Sequence, residues 1–420
     1  MLALVDCNNF YASCEKLFNP AFKDKPLIVL SNNDGCAVSR SAEAKALGIK
    51  MAGAWHKMRD FARQHGVIAC SSNYPLYANM SDRVVNVLRD YSPSIEVYSI
   101  DESFVDLHGF THLNLTDYGQ HMRQRIARWV GLPVCVGIAP TKTLAKLSNH
   151  IAKKQMQYNG VLNLADHSPA EIERIFRNIE VGEVWGVGRC LREKLQIIGI
   201  STVAALRSSD PTAIRRRFGV VLERTVRELQ GMVCMTLEDA PADKQQIISS
   251  RSFGRPVTEL SDINEALASY ITLACEKLRQ QQTVAGSIAI WLETNPFNPK
   301  AAQYSRSITI PLPAYSDDTR QLIRVGLWGL MQLYREGFEY KKCGCMLGTI
   351  TPKLGLDDTL VPSNNTQNER TIAIMDRINR KYGRGTLKSA AEGSNPTWRM
   401  RRGNVSPAYT TKWEELMVVK

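Results

Sequence analysis

The chain has 420 residues, 44% of them hydrophobic, with 53 Lys and Arg against 41 Asp and Glu, a net charge of +12. The length predicts two to four domains with a substantial core, and the positive surplus points to nucleic acid or another anionic partner, with plain solubility charge as the bland alternative. Nothing reads as a signal peptide or membrane span, because Asp6 breaks the N-terminal apolar run. The ten scattered cysteines lack any C-x-x-C pair, so buried thiols in a reducing, cytoplasmic compartment without membrane association are expected.

Along the first 165 residues, short apolar strands at 2–6, 26–30, 67–70, 95–98, 103–107 and 134–139 alternate with helical periodicity. Leu76, Met80, Val84, Val87, Leu88 and Tyr91 share one such face. Met122, Ile126 and Trp129 form another, before the stop at Gly131-Leu-Pro133. The pattern predicts an α+β catalytic core with a helix-backed sheet. Residues 19–74 contain the turn Ser31-Asn-Asn-Asp-Gly35 and a short helix ending at Gly48. Residues 166–232 read as short helices, and the acidic, Pro-containing stretch within 233–243 reads as a linker. Residues 244–348 give strand, helix, strand, strand, helix, strand, a βαββαβ pattern. Its strands are expected at about 247–253, 284–292, 304–310 and 341–350, and its helices at about 262–280 and 317–336. Cys343 and Cys345, at alternate positions, share one face of the last strand. The low apolar density of 349–420, apart from a candidate helix near 368–380, predicts a tail that is partly disordered or folds on a partner.

The chemistry lies in a split set of acids. Asp6 ends the first strand, and Asp101-Glu102 follows almost a hundred residues later in Tyr98-Ser-Ile-Asp-Glu-Ser-Phe104. Carboxylates bordering buried strands are costly unless something cationic meets them. A divalent metal is the usual remedy, and two-metal phosphoryl-transfer sites hold their ions roughly 3.5–4 Å apart. Neighbours on an ideal strand face opposite ways, so Asp101 and Glu102 share a site only if a hairpin or bulge redirects one of them. Otherwise one acid is structural and pairs with a lysine. After Asp6, Phe10-Tyr11-Ala12 puts two aromatics at a strand-to-helix turn whose free N–H groups suit a triphosphate.

Asp6, Phe10-Tyr11-Ala12 and Ser99-Ile-Asp-Glu102 together resemble the Y-family, or translesion, DNA polymerases. Nearly the whole chain is similar to the UmuC-type catalytic subunits of DNA polymerase V. The shared stretches include Leu30-Ser-Asn-Asn-Asp-Gly35, Ala42-Glu-Ala-Lys-Ala-Leu-Gly48, Ser71-Ser-Asn-Tyr74, Thr141-Lys-Thr-Leu-Ala-Lys146 and Val220-Val-Leu-Glu-Arg-Thr-Val-Arg-Glu-Leu229. The resemblance implies a multidomain right hand. Its parts are a palm at 1–165 with inserted fingers at about 19–74, a helical thumb at 166–232, a linker, a little finger at 244–348 and a partner-binding tail at 349–420. It implies an error-prone polymerase of the SOS response, adding dNTPs to a primer 3′ end opposite damaged template.

By resemblance, Asp6, Asp101 and Glu102 hold two Mg²⁺ ions, with Mn²⁺ a substitute, and the Cys7 carbonyl faces a metal. Tyr11, beside Phe10, becomes the sugar gate, although either ring reads equally as core. Ser39, Lys45 and Lys153 are implied to meet the triphosphate. Ala42 departs from the family, where many members carry a phosphate-binding Tyr. The stretch Trp185-Gly186-Val187-Gly188, followed by Ile198-Gly-Ile200, looks like a helix-hairpin-helix whose backbone meets DNA phosphate. Arg215-Arg-Arg217 reads equally as a solvated run. Arg251, Arg255 and Arg306 border strands that could follow the template and primer backbone. At the sliding-clamp motif, Lys353-Leu-Gly-Leu-Asp357 keeps two leucines but lacks the Gln and the aromatic. Ser406-Pro-Ala-Tyr-Thr-Thr411 resembles the polymerase V ending, which implies a UmuD-type accessory protein, as a processed dimer, and a RecA filament. The rival readings are another two-metal enzyme, such as a nuclease or cyclase, and a non-enzymatic repair scaffold.

Overall fold

A computed structural model describes residues 1–110, 112–238, 242–353, 366–394 and 397–416, with only the backbone of 366, 367 and 369. The chain forms two compact units. One comprises 1–31, 35–241 and 404–420, the other 32–34 and 242–403.

In the first unit β1 (Leu2–Cys7) leads into α1 (Phe10–Phe18). Next come β2 (Leu27–Leu30), β3 (Ala37–Arg40), α2 (Ala42–Ala46), α3 (Trp55–Gln64), β4 (Ile68–Ser71) and α4 (Tyr74–Leu88). The hairpin β5 (Ile95–Val97) and β6 (Glu102–Asp106) precedes α5 (Leu115–Trp129), β7 (Val134–Ala139), α6 (Lys142–Lys154) and β8 (Val161–Asn163). Five short helices follow: α7 (Pro169–Arg177), α8 (Arg189–Ile197), α9 (Val203–Arg207), α10 (Pro211–Phe218) and α11 (Val220–Leu229).

The main sheet has the order β5-β6-β1-β7-β8. The central strands are apolar on both faces, as a strand covered on both sides must be: β1 buries Leu2 to Val5, and β7 is buried throughout. Gly137 on β7 lets α6 approach closely, since a Cβ there would meet the Asn149 nitrogen at 2.2 Å and the Ala145 oxygen at 2.3 Å. Asn149 completes the contact by donating to the Leu4 and Cys135 carbonyls, at 3.2 and 2.8 Å. A smaller sheet, β3-β2-β4, carries α2 and α3 nearby. The strand β3 was not anticipated: its Ala37-Val-Ser-Arg run is too short and polar to register as periodic.

The second unit is a four-stranded sheet of order β11-β10-β12-β9 backed by two helices. Its elements are β9 (Ile247–Val257), α12 (Leu260–Gln280), β10 (Thr283–Thr294), β11 (Ser305–Ser316), α13 (Thr319–Leu333) and β12 (Tyr340–Pro352). The strands outrun the expected limits through Pro256, Pro311 and Pro313. These prolines sit in β9 and β11, the two edges, where a missing N–H is tolerated. Cys343 and Cys345 are buried under the helices, together with Phe253, Ile271 and Leu347. A last helix, α14 (Thr366–Tyr382), is tied to α12 by a forked pair in which Arg279 donates to Asp376 at 2.7 and 2.9 Å.

The tail therefore departs from the expectation of partial disorder across its described part. Low average hydropathy concealed a few anchors: Trp398 is buried edge-on against Tyr270, and Tyr409 is buried in the first unit's core. Of the clamp-motif stretch, 354–357 lie outside the described residues, as do 239–241 of the linker. Among the described residues no helix is long and apolar enough to cross a membrane.

Candidate active site

Strand β1 ends where the fold needs a sharp turn into α1. Asn9 makes that turn with φ 52°, a left-handed conformation that Asn tolerates better than most residues. The register places Asp6 opposite Glu102, and the Cys7 N–H donates to the Asp101 carbonyl at 2.9 Å. Asp101 lies in the bend before β6 rather than in the strand. Ser99 Oγ holds it there, donating to Asp101 Oδ1 at 2.7 Å and accepting from the Glu102 N–H at 3.1 Å. The hairpin thus turns Asp101 out of the strand while Glu102 stays in β6.

A cleft of ≈ 410 Å³ is lined by Asp6, Cys7, Asn9, Phe10, Tyr11, Val38, Ser39, Arg40, Lys45, Met51, Asp101 and Lys153. Eight of the expected site residues thus meet in one place. Glu102 does not line it. Its carboxylate is held by Lys146 at 2.8 and 3.1 Å, and that ammonium sits over the rings of Tyr98 and Trp185.

Helix α6 is the electrostatic backbone of the site. Lys142, Lys146 and Lys153 reach Glu96, Glu102 and Asp6 at 2.5, 2.8 and 2.5 Å respectively. Burial pushes the Asp6 carboxyl up to about 6; Lys153 pulls it down, and the charges of Glu102 and Asp101 add to the rise. Burial, reinforced by Asp6 and Asp101, keeps the Cys7 thiol protonated, so its side chain is no nucleophile. Lys45 donates to Asn9 Oδ1 at 2.5 Å. Its ammonium is made less basic by burial and by Arg40 and Lys153, with Asp6 opposing.

Ser39 is already engaged: its Oγ accepts from the Ala12 N–H at 3.2 Å and donates to the Asn9 carbonyl at 3.4 Å. It fixes the first turn of α1. Tyr11 is braced by a stacked Tyr77, 4.4 Å away at 16°, and an edge-on Tyr74 at 6.0 Å. Phe10 is buried in the core behind it.

Sequence reasoning missed Arg40, Lys146 and Tyr77. Arg40 carried a signal, as the only cation on a strand next to Ser39. Lys146 carried its i, i+7 spacing to Lys153 and its place at the end of the shared stretch Thr141–Lys146.

Among the described residues, no three His, Cys, Asp or Glu side chains are gathered as a ready metal cage. The donor set still fits a hard divalent cation. Asp6 and Asp101 are oxygen ligands on one cleft, and Mg²⁺ takes one or two carboxylates and completes its shell with phosphate oxygens and water. Gly188 begins α8 without a side-chain cap, and Gly186 precedes it at φ 88°. A Cβ at either glycine would meet nothing within 4 Å, so the backbone there is open to close approach. Arg251 and Arg255 are exposed on β9 and Arg306 on β11, at opposite edges of the second unit's sheet.

Comparison with known proteins agrees with this layout. Residues 5–150 match the model "impB/mucB/samB family", residues 244–360 match its C-terminal domain, and 369–419 match a domain of unknown function, DUF4113. Protein ImpB and Protein UmuC, both of Salmonella typhimurium, are each 42% identical over the full length of both chains. A DNA polymerase IV of Brucella melitensis is 26% identical over 92% of this chain and 84% of its own. Among solved structures, a Y-family DNA polymerase chimera of Dbh and Dpo4 matches with a TM-score of 0.67. It is 22% identical and covers 84% of this chain and 99% of its own, a likeness of fold. With the cleft, the strand orders and full-length identity in agreement, the chain belongs to the impB/mucB/samB family, the UmuC type of Y-family DNA polymerase.

Proposed function

We propose that the cleft is the polymerising site of an error-prone translesion DNA polymerase of the SOS response. Primer-template DNA and a dNTP are its substrates, and divalent metal is required, as in the family generally. The observation that carries the reading is the meeting of Asp6, Asp101, Tyr11 and the cations Arg40, Lys45 and Lys153 on one cleft. The hand is read as palm, fingers and thumb in the first unit and little finger in the second.

Asp6, Asp101 and the Cys7 carbonyl would hold two Mg²⁺, or Mn²⁺ in their place. Glu102 would complete the set on release from Lys146. When bound, the ions make the primer hydroxyl a better nucleophile and offset charge on the triphosphate. The chain's own residues do the rest. Lys153, which neutralises Asp6 here, is free to turn to phosphate once a metal takes over that charge. Lys45 and Arg40 add positive field from the other wall. The Tyr11 ring, fixed by Tyr77 and Tyr74, excludes a 2′-hydroxyl by contact. Phosphate of the duplex would meet the free N–H groups of α8 at Gly186 and Gly188, and Arg251, Arg255 and Arg306. These contacts are sequence-independent. A UmuD-type dimer and a RecA filament are the proposed partners, and a sliding clamp is a weaker one, given Lys353 in place of Gln.

The test is primer extension across undamaged and abasic templates with Mg²⁺, dNTPs, the UmuD-type partner and activated RecA. Metal-dependent insertion opposite the lesion, with ribonucleotide use rising at least about tenfold in Tyr11→Ala, is the expected result. No insertion in any combination, with DNA binding intact, would return the scaffold reading.

A further inference from the structure

The C-terminal segment of the first unit packs behind the cleft, on β4, α4 and α1. Val405 makes a parallel bridge to Ser71 at the free edge of β4, where the Ser71 N–H donates to the Asn404 carbonyl at 2.8 Å and the Asn404 N–H to Ser71 Oγ at 2.9 Å. Asn73, the residue that caps α4, also grips the segment. Its Nδ2 donates to Ser406 Oγ at 2.9 Å and to the carbonyls of Ser406 and Pro407 at 3.3 Å. Tyr409 then stacks on Phe18, the last residue of α1, at 5.1 Å and 8°.

Between these fixings lies Glu15, a carboxylate only 1% exposed. Two hydroxyls donate to its Oε1: Tyr77 at 2.6 Å and Ser406 at 3.1 Å. Its Oε2 is buried without a hydrogen-bond partner. A buried carboxylate this sparsely satisfied is costly, and both donors therefore matter to where it sits. Glu15 is four residues from Tyr11 on α1, so both lie on one helix face. Tyr77 spans them, with its hydroxyl on Glu15 and its ring stacked on Tyr11.

We propose that the C-terminal strap, acting from Ser406 through Glu15 and Tyr77, positions the Tyr11 ring and so sets how strictly the polymerase rejects ribonucleotides. The inference rests on reading Tyr11 as the sugar gate. A ring that excludes one oxygen atom by contact works only if it cannot tilt away. Tyr77 supplies the floor, Glu15 fixes the far end of that floor, and Ser406 fixes Glu15. Residues 404–409 are then positioning residues for a reaction in which they touch no substrate.

The test is the ratio of kcat/KM for a deoxynucleotide to that for its ribonucleotide, in single-nucleotide extension by the full chain with the partners it requires. Tyr11→Ala should collapse the ratio. Tyr77→Phe, which keeps the ring and loses only the hydroxyl, should lower it about threefold to tenfold, the scale of one buried hydrogen bond. Ser406→Ala should lower it in the same direction by less, Ser406→Thr should preserve it, and Ser406→Ala added to Tyr77→Phe should cause no further loss. The strap is merely structural, and the proposal overturned, if Tyr77→Phe and Ser406→Ala lower Tm but leave the ratio at its original value while Tyr11→Ala relaxes it. An unchanged ratio in Tyr11→Ala instead sinks the sugar-gate reading, and the proposal with it. Should Tyr77→Phe fail to fold, the Ser406→Ala and Ser406→Thr pair decides between the same two outcomes.

Discussion

Helix α6 of the first unit and the sheet of the second unit carry positive charge in opposite ways. Along α6, Lys142, Lys146 and Lys153 are each committed to a carboxylate, and all three side chains are at most one-third exposed. On the second unit's sheet, Arg251, Arg255 and Arg306 are exposed, and among the described residues none has an ion-pair partner. A buried, paired charge has one geometry and loses much if that geometry is disturbed. An exposed, unpaired charge has many geometries and little to lose. The first arrangement suits chemistry at a fixed atom; the second suits a grip on a backbone whose sequence varies.

The largest expected break falls on the paired side. Asp101→Asn should reduce nucleotide addition about a thousandfold or more, since it removes charge beside the reacting groups. DNA affinity should stay near its original value, measured by anisotropy at fixed salt. Lys153→Ala comes next, raising KM for dNTP about tenfold to a hundredfold, the scale of a lost charge-assisted hydrogen bond. An unchanged KM would confine Lys153 to neutralising Asp6.

On the unpaired side, Arg251→Ala, Arg255→Ala and Arg306→Ala should each weaken duplex binding modestly. Each should also make the slope of log K against log salt shallower by ~0.9 for every phosphate contact removed. A loss of polymerising rate at saturating DNA would break the comparison, by showing that these arginines do more than hold.

The smallest effect is a pH dependence. Burial raises the Glu15 carboxyl above its ordinary range, although Tyr77 and Ser406 oppose the shift by hydrogen bonding. A raised carboxyl contributes stability that is present below the ordinary carboxylate range and is lost as pH rises through its folded value. Glu15→Gln should therefore gain in Tm relative to the original chain as pH goes from about 4 to 8. A constant Tm difference across that window would count against a strained, ionised Glu15.

Much of this was legible in the sequence where a residue's meaning is local. The strand ending in Asp6, the aromatic pair at the turn and the Asp101-Glu102 hairpin all carry their signals within a few residues. Asp6, Phe10, Tyr11 and Asp101 line one cleft, and Glu102 stands outside it on Lys146. Meaning was hidden where it depends on a partner far along the chain. Lys146 among 53 cations carries no mark that it will hold Glu102 away from the cleft. Ser39 reads as a free hydroxyl until the fold sets it against α1. The tail reads as poorly ordered because two aromatic anchors, Trp398 and Tyr409, do not raise an average. The two outer strands of the second unit run longer than expected, through Pro256, Pro311 and Pro313, because an edge strand tolerates a missing N–H.

Those same prolines have a consequence for assembly. Pro256 in β9 and Pro311 and Pro313 in β11 stand on the two outer strands of the four-stranded sheet, where a further strand would need an unbroken row of donors. Over that part of each border the prolines interrupt the row of donors that β-augmentation would need, whether by a second copy of the chain or by an extended peptide. The first unit's smaller sheet has no such guard on β4, and there the chain fills the opening with its own Val405. An extended segment that sought to join at β4 would have to displace the chain's own Val405, and one that sought β9 or β11 would meet prolines.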